Sequence, residues 1–385
     1  MRRKTIAVIF GTRPDTIKLA PVILELVKER KHFDVVTIAT AQHRQMLDQV
    51  LDVFRIRPDV DLNTMRHKQT LADITKNNIE ALDTALKNIK PDMVLVQGDT
   101  TTTFVGSLAA FYRQIPVGHV EAGLRTHDKA NPFPEEINRR LTSCIADLHF
   151  APTDTAKKAL LRENVRRDSI FVTGNTVIDA LRISVKRRHV FSIPELDALV
   201  NQRRKIILVT MHRRENWGSP MERAARAVRR LAERYPQMNI VFPVHLNPVV
   251  RDAVHPVLAG VNNILLTHPL DYPDFVNLMA RSHLIITDSG GVQEEGPSLG
   301  KPILVLREVT ERPEAIRFGT VKLVGLDEEK IVSTARKLLD DRHAYATMAG
   351  ATNPYGDGHA ARRTVRIVKH FFGLSKTLPA EFAPR

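Results

Sequence analysis

The sequence predicts an α/β protein built from two doubly wound parallel sheets that face a common cleft. Three observations support this. Short β-branched strands alternate with longer helical patterns, and this alternation occurs in two series. A chain of 385 residues is also longer than a single domain with one hydrophobic core usually is. Ligands of open α/β sheets bind at the carboxyl ends of the strands, so functional residues are expected directly after strands.

The two series of strands are separated by a basic, poorly periodic stretch at residues 186–204, which we interpret as a linker. We therefore place an N-terminal domain at residues 1–185 and a C-terminal domain at residues 205–359. The strands are expected at 5–10, 35–39, 93–96, 116–120, 148–151 and 170–173, then at 206–210, 240–244, 264–267, 284–287, 303–306 and 321–324; helices are expected at 16–29, 70–88 and 101–112.

Composition excludes several classes of protein. The net charge of +14 invites a nucleic-acid interpretation, but the basic residues are spread along the chain and no aromatic residues interleave with them. We expect solvated basic faces that also attract a small anionic substrate. A single cysteine, Cys144, excludes an internal disulfide framework and fits a reducing cytoplasm. No apolar run approaches the roughly 20 residues of a membrane span, and residues 6–10 are too short for a signal-peptide core.

The first strand leads into the turn Gly11–Asp15 and a helix that carries Lys18. Glycine permits a tight strand-to-helix turn, the helix N-terminus favours anions, and Arg13 and Lys18 add cations that reach a phosphate. A capped helix with surface charges explains this segment equally well.

Carboxylates follow two later strands of the first half. Asp99 is either the N-cap of the following helix or a catalytic carboxylate. Glu121 follows a buried apolar strand and needs a partner, for which His119, Arg125 and substrate are candidates. Glu135 and Glu136 open a helix, where acidic residues are ordinary.

In the second half, His212 stands beside two arginines after a strand, an arrangement that suits a polyphosphate. His245 occupies a similar but weaker position. The clearest signal is the turn Asp288–Gly291, because its two glycines expose backbone N–H groups at a helix N-terminus and form a pyrophosphate cradle. A carboxylate one turn into that helix, Glu294 or Glu295, can accept ribose hydroxyls.

Several cofactor motifs do not occur in the sequence. It contains no G-x-G-x-x-G, no Walker A spacing, no H-E-x-x-H and no paired cysteines. We therefore expect no nicotinamide cofactor and no metal.

Taken together, these segments resemble the non-hydrolysing UDP-N-acetylglucosamine 2-epimerases across nearly the whole chain and in the right order. The matching segments are 10–14 with 17–18, 41–47, 98–103, 118–126, 134–136, 173–176, 212–215, 243–248, 289–295, 310–314 and 353–358. The resemblance implies a glycosyltransferase-B-type fold of two Rossmann-like domains, a homodimer, and a C-terminal helix at 360–375 that joins the N-terminal domain.

The resemblance also implies roles for individual residues. The catalytic group would be Asp99, Glu121, Glu135 and His212, and the UDP-sugar contacts would be Arg13, Lys18, Phe275, Ser289, Gly290, Gly291, Glu295 and Arg312. Some family members are activated by UDP-N-acetylglucosamine at a neighbouring site, for which the candidates here are Gln42, Gln45, Gln69, Glu136 and His245. The chain departs from the usual family residues at Asp15, Lys68, Gln97, Asn131, Met211 and Gly296.

The implied reaction interconverts UDP-N-acetylglucosamine and UDP-N-acetylmannosamine by elimination and re-addition of UDP, through 2-acetamidoglucal, for bacterial surface polysaccharide precursors. The alternatives are a hydrolysing 2-epimerase, a 2-epimerase for a decorated UDP-sugar, and a glycosyltransferase with a second acceptor site. A nucleic-acid-binding protein is the non-enzymatic alternative, and the scattered charge argues against it.

Overall fold

The computed structural model describes residues 2–40, 44–64, 66 and 69–384, with only the backbone of residues 44–46. Within these ranges the chain divides into two units, each with its own parallel β-sheet. The first unit comprises residues up to 182 together with 355–383, and the second comprises residues 183–354.

The sheet of the first unit has the strand order β3-β2-β1-β4-β5-β6-β7, as far as the described residues go. Its strands are β1 (Lys4–Phe10), β2 (Phe33–Ala39), β3 (Val60–Asp61), β4 (Met93–Gln97), β5 (Val117–Val120), β6 (Leu148–Ala151) and β7 (Ile170–Val172). The order changes direction between β1 and β4, where parallel α/β sheets bind their ligands.

The sheet of the second unit repeats this plan with the order β10-β9-β8-β11-β12-β13 over its described residues. Its strands are β8 (Ile206–Thr210), β9 (Asn239–Pro243), β10 (Ile264–Thr267), β11 (Leu284–Thr287), β12 (Ile303–Val305) and β13 (Val321–Leu323). The change of direction here lies between β8 and β11.

Helices alternate with the strands of both sheets. They are α1 (Arg13–Lys28), α2 (Arg44–Phe54), α3 (Leu71–Ile89), α4 (Thr101–Tyr112), α5 (Glu135–Ile145), α6 (Asp154–Arg162), α7 (Thr176–Ser184), α8 (Pro194–Asn201), α9 (Ser219–Arg234), α10 (Pro248–Leu258), α11 (Tyr272–Arg281), α12 (Gly290–Glu295), α13 (Pro313–Arg317), α14 (Glu328–Asp340), α15 (Arg342–Ala349) and α16 (Ala360–Phe371). Of the helices in the described ranges, none combines the length and apolarity that a membrane crossing requires.

The central strands are buried apolar runs because helices cover both faces of each sheet. The side chains of Ile6 to Phe10 in β1 and of Ile206 to Val209 in β8 are at most 2% exposed. This burial is why the continuous apolar runs could be read as strands, and the predicted ends agree with the observed ends to within two residues. The two-residue strand β3 was not predicted, because it is too short to show a period.

The C-terminal helix α16 belongs to the first unit, where it packs against α1. Its buried residues, among them Ala361, Thr364, Val365 and Val368, recur at helical spacing. The stretch 186–204, interpreted from sequence as a linker, lies in the second unit and contains helix α8.

Candidate active site

The turn after β1 brings the backbone of Gly11 against Thr40, which follows β2, and Thr102, in the first turn of α4. A Cβ on Gly11 would lie 2.2 Å from Thr40 Oγ1 and 2.5 Å from Thr102 Oγ1, so a larger residue does not fit. The two hydroxyls are themselves hydrogen-bonded at 3.0 Å. The predicted tight turn therefore lies where the order of the first sheet changes direction.

Asp15 closes this turn and caps α1. Its carboxylate accepts hydrogen bonds from the Gly11 N–H at 3.1 Å, the Thr12 N–H at 2.7 Å and the Thr12 hydroxyl at 2.8 Å. Burial raises the pKa of Asp15 to about 6, and the three donors oppose that rise. Arg13, at the first position of α1, is exposed. The capped helix is therefore confirmed, but Lys18 is not a surface charge because it pairs with Glu121. The phosphate-binding role of Arg13 and Lys18 stays a prediction.

Glu121 is the most constrained carboxylate of the first unit. It follows β5 with a φ of +63°, a left-handed conformation that is uncommon for residues other than glycine. Lys18 Nζ donates to both carboxylate oxygens, at 2.6 and 2.7 Å, and Asn175 Nδ2 donates to Oε1 at 2.8 Å. Gln97 Nε2 donates to Oε2. These donors favour the ionised form of a buried side chain and fix its position.

Two of the partners expected for Glu121 lie elsewhere. Arg125 forms an ion pair with Glu163 at 2.7 Å, and its side chain is 1% exposed. His119 Nε2 donates to the carbonyl oxygen of Gly98 at 2.7 Å. Burial lowers the pKa of His119 to about 3, so this ring is neutral and supplies no charge to the carboxylate.

Asp99 follows β4 and forms an ion pair with Arg139 at 2.6 Å. The residue that caps α4 is Thr100, whose hydroxyl accepts from the Thr103 N–H at 3.2 Å, so the capping role considered for Asp99 is wrong. Burial raises the pKa of Asp99, Arg139 opposes the rise, and the negative charge of Glu121 adds to it. Asp99 and Glu121 therefore lie close enough for their charges to interact, in surroundings that differ.

Glu135 and Glu136 begin α5 but have different environments. Glu135 is partly exposed, and among the described residues its carboxylate has no hydrogen-bond partner. Glu136 is fully buried, accepts the backbone N–H groups of Thr126 and His127 at 3.0 and 3.2 Å, and lies 3.3 Å from Arg139. Glu136 therefore holds the preceding loop, whereas Glu135 is free to meet a ligand.

In the second unit, Asp288 organises the loop that follows β8. Its buried carboxylate accepts the backbone N–H groups of His212 and Arg213, each at 2.9 Å, and Asn216 Nδ2 at 3.0 Å. His212 Nδ1 lies 3.1 Å from Asp288 Oδ1. Burial would raise the pKa of Asp288, but the His212 ring and the amides outweigh that effect and lower it. The imidazole is thus held in one orientation by an ionised partner.

The turn Ser289–Gly291 faces two arginines. A Cβ on Gly290 would lie 3.6 Å from Arg213 Nη2 and 3.7 Å from Arg312 Nη2, so both guanidinium groups approach the glycine backbone. The side chain of Ser289 does not cap α12, although Ser289 is its N-cap residue. Backbone amides and two guanidinium groups in one place make a binding site for a doubly charged anion such as a pyrophosphate.

Glu295, at the end of α12, accepts a hydrogen bond from the Tyr272 hydroxyl at 3.2 Å. Phe275 is partly exposed and lies one turn after Tyr272 on α11. The adjacent Glu294 instead pairs with Arg312, whose Nε donates to Oε1 at 2.6 Å. Of the two glutamates, Glu294 therefore orients an arginine of the anion site, and Glu295 remains the candidate for a sugar hydroxyl.

The candidates for a second, regulatory site are only partly described. Gln42, Lys68 and the side chain of Gln45 lie outside the described residues. Gln69 accepts the Arg66 N–H at 2.7 Å and stabilises its own turn. His245 is exposed after β9, and its ring is stacked against that of His212 with centroids 6.5 Å apart.

Asn175 and Arg139 had no role assigned from sequence. Arg213 was predicted only as one of the two arginines beside His212, and Asp288 only as part of the turn before α12. Each follows a strand or occupies an early helical turn, which is the signal that could have found them. Sequence alone does not show which carboxylate or loop such a residue contacts, because the partners are distant along the chain.

Known proteins match the chain over most of its length. The family model described as UDP-N-acetylglucosamine 2-epimerase matches residues 25–369. The UDP-N-acetylglucosamine 2-epimerase of Bacillus subtilis (strain 168) is 56% identical over 382 residues, which cover 99% of this chain and 99% of the relative.

Solved structures agree in fold. A crystal structure of a UDP-N-acetylglucosamine 2-epimerase is 54% identical, with a TM-score of 0.91 and coverage of 100% of both chains. The Neisseria meningitidis UDP-GlcNAc 2-epimerase, crystallised bound to UDP-GlcNAc, is 48% identical with a TM-score of 0.85, covering 95% of this chain and 100% of that one. The two sheets with their helices are thus Rossmann-like units of the glycosyltransferase-B type.

Proposed function

Because the chain belongs to the UDP-N-acetylglucosamine 2-epimerase family, we propose that it interconverts UDP-N-acetylglucosamine and UDP-N-acetylmannosamine without hydrolysing either. The observation that carries this proposal is the pair Asp99 and Glu121. Their charges interact, yet one carboxyl has a raised pKa and the other is held by a lysine. Carboxyl groups with divergent surroundings serve as acid and base in one site.

The proposed reaction is an elimination followed by an addition. Carbon 2 of the sugar has no adjacent carbonyl group, so simple deprotonation at neutral pH is too costly. A base instead takes the carbon 2 proton while the bond from carbon 1 to the UDP oxygen breaks, which leaves 2-acetamidoglucal and UDP. UDP then adds back to carbon 1 as a proton reaches carbon 2 from the opposite face. No hydride moves.

The first unit supplies the groups for proton transfer. Asp99 can hold a proton closer to neutral pH than an ordinary aspartate, because burial raises its pKa. Glu121, which pairs with Lys18 at 2.6 Å, is the candidate base. Glu135 is the third candidate, since its partly exposed carboxylate has no partner in the described part of the chain.

The second unit supplies the groups for UDP. Arg213, Arg312 and the amides of the Ser289–Gly291 turn would bind the pyrophosphate and stabilise the charge that develops as UDP leaves. His212, oriented by Asp288, would donate to a phosphate oxygen when protonated.

Three further assignments accompany this proposal. We propose a homodimer, for which the exposed neighbouring side chains of Phe111 and Tyr112 at the end of α4 would supply apolar surface. Activation by UDP-N-acetylglucosamine would involve His245, which stacks on His212. We place the reaction in the cytoplasm, where it would supply precursors of bacterial surface polysaccharides, since a lone cysteine suits a reducing compartment.

The proposal is tested by product analysis in deuterated water. UDP-N-acetylglucosamine should give UDP-N-acetylmannosamine with deuterium at carbon 2 in both epimers, because the abstracted proton exchanges from a carboxyl group. Release of UDP with free N-acetylmannosamine would instead support the hydrolysing reaction. An epimer that formed without deuterium would contradict proton abstraction by an exchangeable carboxylate.

A further inference from the structure

The motif Thr173–Thr176 contributes Asn175 to the site described above, whereas the segment Tyr355–Gly358 has no role there. The two lie almost 180 positions apart in the sequence. The structure brings them into contact. Asn175 N–H donates to the Tyr355 carbonyl at 2.7 Å. A Cβ on Gly356 would lie 3.4 Å from the Asn175 carbonyl oxygen, and a Cβ on Gly174, where φ is +85°, would lie 3.4 Å from Gly356 Cα. The two backbones are therefore in contact, and the positive φ of Gly174 favours glycine at that position.

Residues of the C-terminal part of the first unit also stabilise the contact between these two segments. Arg363 forms a bidentate ion pair with Asp357, at 2.8 and 2.6 Å, and its Nη1 also donates to the Thr173 carbonyl at 3.1 Å. Phe382 N–H donates to the Val172 carbonyl at 2.8 Å, which covers the end of the edge strand β7. The turn from β7 into α7 is thus held independently of any ligand.

This support converges on the side chain of Asn175. Its Oδ1 accepts the Val177 N–H at 3.0 Å, which leaves Nδ2 to donate to Glu121 Oε1 at 2.8 Å. Asn175 is 2% exposed, so the amide is locked in one orientation. Glu121, in turn, has the left-handed φ of +63°, a conformation that persists only where neighbouring groups hold it.

We propose that Asn175, braced by Tyr355–Gly358, is a positioning residue that holds the Glu121 carboxylate for proton transfer. The inference rests on the proposed function only in the role of Glu121. Within the described part of the chain, the charged and titratable groups that interact with Glu121 include Lys18, Asp99 and the neutral His119. Asn175 adds a donor that does not titrate, so the position of Glu121 does not depend on the protonation of this neighbour.

The test compares two variants that both keep an oxygen for the Val177 N–H. Asn175→Ser removes the hydrogen bond from Asn175 Nδ2 to Glu121, because the serine side chain is too short to make it. Asn175→Asp places a second carboxylate beside Glu121. Each should lower kcat by about 10-fold or more with KM and the Kd for UDP nearly unchanged, because misplacement of a reacting group acts on the chemical step. In Asn175→Asp alone, the acid limb of the kcat–pH profile should also move to higher pH, since like charges favour the protonated form.

The matched control is Asn201→Asp, which makes the same amide-to-carboxylate change beside Asp197 on the surface of the second unit, where Nδ2 donates at 3.1 Å. It should leave kcat and the pH profile unchanged. A crystal structure of Asn175→Ser provides a readout besides activity, and Glu121 should move or relax its backbone. An unmoved Glu121 with normal kcat would overturn the inference. If the wild-type chain does not epimerise the substrate, the proposed function fails, and the position of Glu121 in that crystal structure still decides the positioning role.

Discussion

Replacing Asp99 with Asn removes an ionisable group and nearly preserves the shape of the side chain. The variant separates catalysis from stability because α4 is capped by Thr100, so the helix keeps its N-cap hydrogen bond. What the substitution removes from the folded structure is the ion pair with Arg139. Asp99 is 27% exposed in that pair, and Arg139 keeps Glu136 at 3.3 Å.

The two expected effects differ in size. A partly exposed ion pair contributes about 1 kcal/mol or less to the free energy of unfolding. Loss of a general acid or base lowers kcat by about 100-fold or more, which corresponds to a barrier higher by about 2.7 kcal/mol. A 100-fold loss of turnover with a nearly unchanged melting temperature is therefore the expected result for Asp99→Asn.

The assay is the initial rate of epimerisation followed by NMR, together with the Kd for UDP by calorimetry. UDP binding should stay within about 3-fold of wild type, since the residues proposed to bind UDP lie in the second unit. Asp83→Asn is a matched control, because Asp83 forms a similar ion pair with Arg113 at 2.6 Å on the outside of the first unit. Near-normal turnover by Asp99→Asn would refute the acid–base assignment of Asp99.

Three further predictions concern the anion site, the C-terminal helix and regulation. Gly290→Val should weaken UDP binding about 10-fold or more in calorimetry, because its methyl groups would fill the space before Arg213 and Arg312. An unchanged Kd would contradict pyrophosphate binding by the Ser289–Gly291 turn. Asp179 accepts the Ala360 N–H at 3.1 Å, and burial raises the pKa of Asp179 to about 6. The folded state therefore binds this proton more tightly than the unfolded state, so its contribution to stability falls as pH rises from about 4 through 6. We therefore expect the free energy of unfolding of Asp179→Asn, relative to that of wild type, to be higher at pH 7 than at pH 5 in denaturation experiments. The same difference in free energy at both pH values would contradict this. If the enzyme is regulated, purified UDP-N-acetylmannosamine should react slowly until a trace of the gluco epimer is added, whereas a full initial rate would indicate no activation.

The sequence by itself determined the architecture and the places where chemistry could occur. Buried parallel strands are continuous apolar runs, a local property, so both series of strands could be read directly from the chain. The strand-end rule then selected Asp99, Glu121, His212 and the Ser289–Gly291 turn without any knowledge of contacts. The resemblance to a family added roles to these positions.

The tertiary structure alone decided which groups act on one another. The donors to Glu121 stand 103, 24 and 54 positions away in sequence, at Lys18, Gln97 and Asn175. Asp288 orients His212 across 76 positions. Such contacts depend on strand register and side-chain direction, which a linear pattern does not contain. For the same reason, only the structure showed that Arg125 forms an ion pair with Glu163 rather than with Glu121.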